Sequence, residues 1–153
     1  MEEKTSVPLD LSVAAARGCI GFGVRKGARA LGQLYDAVLA PVGIKGTQFS
    51  LLNAVHLMQA PGIQQLAQAL VMDRTTLTRN LRPLVDQGLL EVRPGIDRRE
   101  RRVLLTQAGQ ERLAQALTRW AAVQEQLATS FGEERMRRLL EDLKELVQMV
   151  QED

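Results

Sequence analysis

From Arg74 to Arg102 the chain carries eight arginines (Arg74, Arg79, Arg82, Arg93, Arg98, Arg99, Arg101 and Arg102) against four acids, Asp86, Glu91, Asp97 and Glu100. This stretch stands at +4 in a 153-residue protein of net charge +2, so the rest stands at −2 and the positive field is concentrated in one region. Guanidinium groups at that density repel one another unless something anionic receives them. Thr75, Thr76 and Thr78 lie among the first arginines and add hydroxyl and methyl groups. The chemistry on offer is recognition of phosphates and base edges, not bond-making.

The residues that other chemistries need are scarce. One cysteine, Cys19, excludes an intramolecular disulfide and, with one histidine, His56, argues against a Cys/His metal site. Paired acidic motifs and glycine-rich phosphate loops are lacking, and Gly21-Phe22-Gly23 does not follow a strand. Neither an enzyme nor a cofactor is expected. Cys19 reads as a buried small hydrophobe, the alternative being a redox switch that would need a thiolate-stabilising cation such as Arg17. His56, beside Val55, reads as a structural residue.

The arginines and threonines need a scaffold, and its centre is Asp73 to Gly88. Asp73 is a good N-cap and Gly88 a good left-handed stop. At 100° per residue Leu77, Leu81, Leu84 and Val85 form one apolar stripe, with Thr75, Thr78, Arg79, Arg82 and Asp86 opposite. Pro83 is awkward inside that helix, because it deprives the Arg79 carbonyl of its donor. Upstream, Ile63, Leu66, Ala67 and Leu70 mark a short helix, and Val71-Met72-Asp73 a tight turn, which gives a helix-turn-helix. Earlier still, Thr47 is expected to cap a helix running to about Gln59 with Phe49, Leu52 and Val55 inward, ended by a turn at Pro61-Gly62. Downstream, residues 89–93 and 102–106 read as strands around the charged loop 94–101. A β-hairpin wing with arginines at its tip suits phosphates or the minor groove.

The flanks are helical. After a polar leader over residues 1–9, Val13, Ile20, Val24, Ala28, Leu31, Tyr35 and Val38 predict a long helix from Asp10 to near Pro41 and Gly43. Gly18, Gly21, Gly23 and Gly27 each weaken it by up to ~1 kcal/mol relative to Ala, so its first half is expected to bend, fray or pack closely. Thr106 is a plausible N-cap for a helix with Leu113, Leu117, Trp120, Leu127 and Phe131 along one seam. A last helix follows Gly132, with Met136, Leu139, Leu140, Leu143, Leu146, Val147 and Val150. These stripes are expected to bury themselves against the first helix and a second subunit. The N-terminus lacks a basic signal-peptide start, and Val13–Val24 is short of the ~20 apolar residues of a membrane span, so a cytoplasmic protein without an anchor is expected.

The fold class is therefore mainly α with a small two-stranded antiparallel β wing: a winged helix-turn-helix flanked by N- and C-terminal dimerisation helices. Residues 1–43 form the leader and first dimerisation helix, 44–106 the DNA-binding region, and 107–153 the C-terminal dimerisation helices.

From about Leu11 to Val150 the sequence resembles the MarR family of bacterial winged-helix transcription regulators. The resemblance is carried by Asp73-Arg74-Thr75-Thr76-Leu77-Thr78-Arg79, by Gly88-Leu89, and by Asp97-Arg98-Arg99-Glu100-Arg101-Arg102 followed by Leu104-Leu105-Thr106 and Gly109. It implies an intertwined homodimer bound to double-stranded DNA, released from a pseudo-palindromic operator by a small-molecule effector or an oxidised cysteine. It makes Thr75, Thr76, Thr78 and Arg79 the candidates for base edges. Arg99 would be the minor-groove arginine of the wing, with Asp97 as its ion-pair partner. Arg74, Arg82, Arg98, Arg101 and Arg102 are assigned to phosphates. The competing readings are a redox-sensing regulator through Cys19 and a winged-helix adaptor that binds protein.

Overall fold

The long first helix expected from Asp10 breaks into two. In the computed structural model, which describes residues 7–97 and 100–152, α1 spans Leu9–Gly18 and α2 spans Ile20–Leu39. Cys19 between them has extended backbone (φ −75°, ψ 108°), and its carbonyl accepts the Phe22 and Gly23 N–H groups that open α2. The expected bend is present. Close approach within the chain is not its reason, since a Cβ added at Gly18, Gly23 or Gly27 would meet nothing within 4 Å. Gly18, a poor helix former, is the last residue of α1 before the break.

A 3-10 turn, Ala40–Val42, leads into α3 (Gly46–Met58), α4 (Ile63–Ala69) and α5 (Arg74–Asp86), then the strands β1 (Leu90–Pro94) and β2 (Arg101–Leu105), and the helices α6 (Gln107–Phe131) and α7 (Glu133–Gln151). Thr47 is not the cap of α3. That helix begins at Gly46 with Lys45 at the cap position, and its first N–H groups are satisfied by side chains: Lys45 N–H donates to Gln48 Oε1 at 2.9 Å and Gly46 N–H to Asp36 Oδ1 at 2.7 Å.

β1 and β2 pair antiparallel with Leu90 opposite Leu105, Val92 opposite Val103 and Pro94 opposite Arg101. Pro61-Gly62 does more than turn. Val103 N–H donates to the Pro61 carbonyl at 2.9 Å and Gly62 bridges to Arg102, so a two-residue segment flanks β2 on its other side. The core lies between these elements, built from Leu39, Leu52, Val55, Leu66, Leu77, Leu84, Leu90 and Val103, each at most 2% exposed. Burying such side chains contributes on the order of 1.5–3 kcal/mol apiece. The apolar stripes of the flanking helices stay open: neither α1 nor α7 has a buried residue, and Ile20, Leu140 and Val150 are exposed. Among the described residues no helix is long and apolar enough to cross a membrane.

Candidate nucleic-acid interface

α5 is held at both ends. Asp73 Oδ1 accepts the Thr76 N–H at 2.8 Å and its Oδ2 the Thr76 hydroxyl at 2.5 Å. Those two bonds, the hydroxyl's first, hold the Asp73 carboxyl below its usual value. At the other end Leu89 N–H donates to the Leu84 carbonyl and Gly88 N–H to Val85, with Gly88 at φ +69°, a Schellman-type stop. The helix runs through Pro83, which is exposed.

Leu77, Leu81 and Leu84 are buried beneath α5 as expected. Val85 is not, being 37% exposed. It lies one residue past Leu84, 100° round the helix, and joins Thr75, Thr78, Arg79, Arg82 and Val92 in the lining of an open hollow between α5 and β1. A second cleft, about 480 Å³, runs between α4 and the wing; Arg74, Arg101, Gln64, Gln68 and Glu100 line it. Arg74 belongs to both, so the two form one continuous surface.

The threonines divide on that surface. Thr76 is half-buried with its hydroxyl turned to Asp73, whereas Thr75 and Thr78 are exposed, the Thr78 hydroxyl donating to the Arg74 carbonyl at 2.8 Å. The arginines divide too. Arg79 is exposed, and Arg82 meets Asp86 only at 3.9 Å with both side chains in solvent, a pair of small worth. Arg93 pairs with Glu91 at 2.7 Å. Arg102 turns inward, donating to the Ala60 carbonyl and to Glu100 at 3.4 Å each, which ties β2 to the Pro61-Gly62 segment. Asp97 is exposed in the wing loop, and its carbonyl accepts Glu100 N–H at 2.9 Å. Arg98 and Arg99 lie outside the described residues.

Two further residues that sequence reasoning missed share this face: Gln64 and Gln68 are one turn apart on α4, an i, i+4 signal that was legible. Ile96 stands 99% exposed at the wing tip. Cys19 departs from expectation, being exposed where a buried thiol was expected; His56, read as a structural residue, is exposed as well.

A MarR-family model matches residues 42–106, the stretch from the 3-10 turn to the end of the wing. The M. tuberculosis transcriptional regulator MosR, in a crystal structure with DNA, is 37% identical; the match covers 86% of this chain and 98% of that one at a TM-score of 0.76. The chain belongs to the MarR family. It is thus a MarR-family transcription regulator and not an enzyme. The Bacillus subtilis protein YwoH, described as an uncharacterised HTH-type transcriptional regulator, is 23% identical over 72% of this chain and 81% of its own. An E. coli MarR variant complexed with operator DNA shares the fold at 22% identity and a TM-score of 0.74, covering 85% of this chain and 96% of that one. This MarR-family chain matches those structures as a mostly helical winged fold with a two-stranded antiparallel sheet.

Proposed function

We propose that the chain is a homodimeric repressor that reads a pseudo-palindromic operator and leaves it when a small molecule binds. The observation that carries this reading is the continuous surface joined at Arg74, with α5 on one side and the wing on the other. In this reading Thr75 and Arg79 meet base edges, Arg79 by two donors to a guanine, and Thr78 adds its methyl group. Arg74, Arg82, Arg98 and Arg101 contact phosphates, with Arg99 of the wing reaching the minor groove. Thr76 and Arg102 serve the helix cap and the wing instead. The MosR crystal structure, with DNA bound, supports the partner class.

Residues 1–43 and 107–153 supply the dimer around the reader at 44–106. The exposed apolar stripes of α2 and α7 support this, as does the span required of two recognition helices, about 34–36 Å for successive major grooves. Effector release is assigned to the junction of α2, α3 and α6, where Trp120 stacks on Phe49 at 6.4 Å and 26° while 37% exposed.

The test is selection of bound sequences from random duplex DNA, followed by binding across a salt series. A pseudo-palindromic consensus and a steep fall in affinity from about 50 to 200 mM salt are expected. Salt-insensitive binding, or no selected sequence, would replace this reading with a protein-binding adaptor.

A further inference from the structure

The N-terminal two turns of α6 are fastened to both ends of the winged unit. Thr106 makes the first joint. Its hydroxyl donates to the Gly88 carbonyl at 2.6 Å, just past the end of α5, and accepts the Gly109 N–H at 3.0 Å, while its own N–H donates to Leu89 at 3.2 Å. The close approach needs Gly109: a Cβ there would stand 2.0 Å from the Leu89 carbonyl oxygen. Arg112 makes the second joint, donating from Nη1 to the Val42 carbonyl at 2.6 Å, where the chain enters the winged unit. Gly43, at φ +74°, leaves room for it, since a Cβ would lie 2.8 Å from that nitrogen. Farther along, α6 reaches α2 through a hydrogen bond from Gln124 to the Tyr35 hydroxyl.

From this geometry we infer that Thr106 and Arg112 are positioning residues that lock the winged unit, α5 included, to α6, Thr106 at the end of α5 and Arg112 at Val42. The inference rests on the dimeric, operator-reading function proposed above. Two recognition helices match two half-sites only if each is rigid relative to the helices that set their separation. A hydroxyl that bonds the residue after α5 and caps α6 at once leaves little freedom between them. Thr106 touches no DNA in this scheme and acts through α5.

The experiment measures affinity for the selected duplex, for that duplex with one base pair inserted between half-sites, and for random duplex. It compares wild type, Thr106→Val and Thr106→Ser as dimers. Thr106→Val should lose about tenfold on the selected duplex, the scale of one good base contact. It should also narrow the gap between the selected and inserted duplexes while keeping random-duplex affinity and its salt slope. Thr106→Ser should behave as wild type, and Arg112→Met, on the other joint, should repeat the pattern should Thr106→Val not fold. Unchanged spacing discrimination in both the Val and Met variants overturns the inference, as does an equal loss on all three duplexes. A wild-type dimer that selects no duplex overturns the operator-reading function and this inference together, and so is distinguishable from failure of the joint alone.

Discussion

Asp36 on α2 accepts the Gly46 backbone N–H at 2.7 Å, so the first turn of α3 is capped by a carboxylate from a different helix, ten residues upstream. Removing such a cap costs typically ~1 kcal/mol. Asp36→Ala should lower the unfolding free energy by about that amount and Asp36→Asn by less. The check is the denaturant midpoint, and an unchanged midpoint for Asp36→Ala would show that water replaces the carboxylate without loss.

Val71, in the turn of the helix-turn-helix, has φ +53° and is 56% exposed. A β-branched residue in the left-handed region carries on the order of 1–3 kcal/mol of strain, and asparagine tolerates that region far better. Val71→Asn should raise stability by roughly 1 kcal/mol, because little apolar burial is given up. A lower melting temperature would mean that the valine side chain packs better than its exposure suggests.

In the proposed function Arg79 reads a base and Arg101 binds a phosphate, and substitution separates the two roles. Arg79→Ala should weaken the selected duplex by ~1–3 kcal/mol and relax preference at one base position. Arg101→Ala should weaken all sequences alike and reduce the salt slope by about one. Equal loss on every sequence for Arg79→Ala would reassign it to a phosphate.

The open stripes of the terminal helices make the dimer testable. Deleting residues 133–153 removes α7 with Leu140 and Val150, which are 61% and 65% exposed. Light scattering should then report a monomer or an aggregate. A soluble dimer after the deletion would remove α7 from the interface.

On α7, Glu134 is held below its ordinary value, first by hydrogen bonds from Arg137 and then by those from Arg138. A carboxylate with a lowered folded value contributes stability that is complete above the ordinary range, about pH 5, and is lost as pH falls through the lowered value. The stability gap between wild type and Glu134→Gln should therefore stay constant from pH 7 to about 5 and close in more acid solution. Chemical denaturation at stepped pH measures it, and a gap that widened on acidification would contradict the assignment.

Much of this protein was written locally. The Asp73 cap, the Gly88 stop, the Thr106 cap and the buried Leu77, Leu81 and Leu84 stripe each depend on residues within a turn or two, so spacing alone determined them. The +4 cluster and the wing were equally plain, and they gave the interface its place. What tertiary structure decided were relationships between distant segments. Val85 stays open because β1 leaves a hollow beside it, and Arg102 turns inward because Ala60 offers a carbonyl. Asp36 displaces Thr47 from the cap of α3, and Arg112 reaches Val42 across 70 positions. No periodicity encodes such contacts, because they form only when the packed core brings backbone groups of separate elements within hydrogen-bond reach.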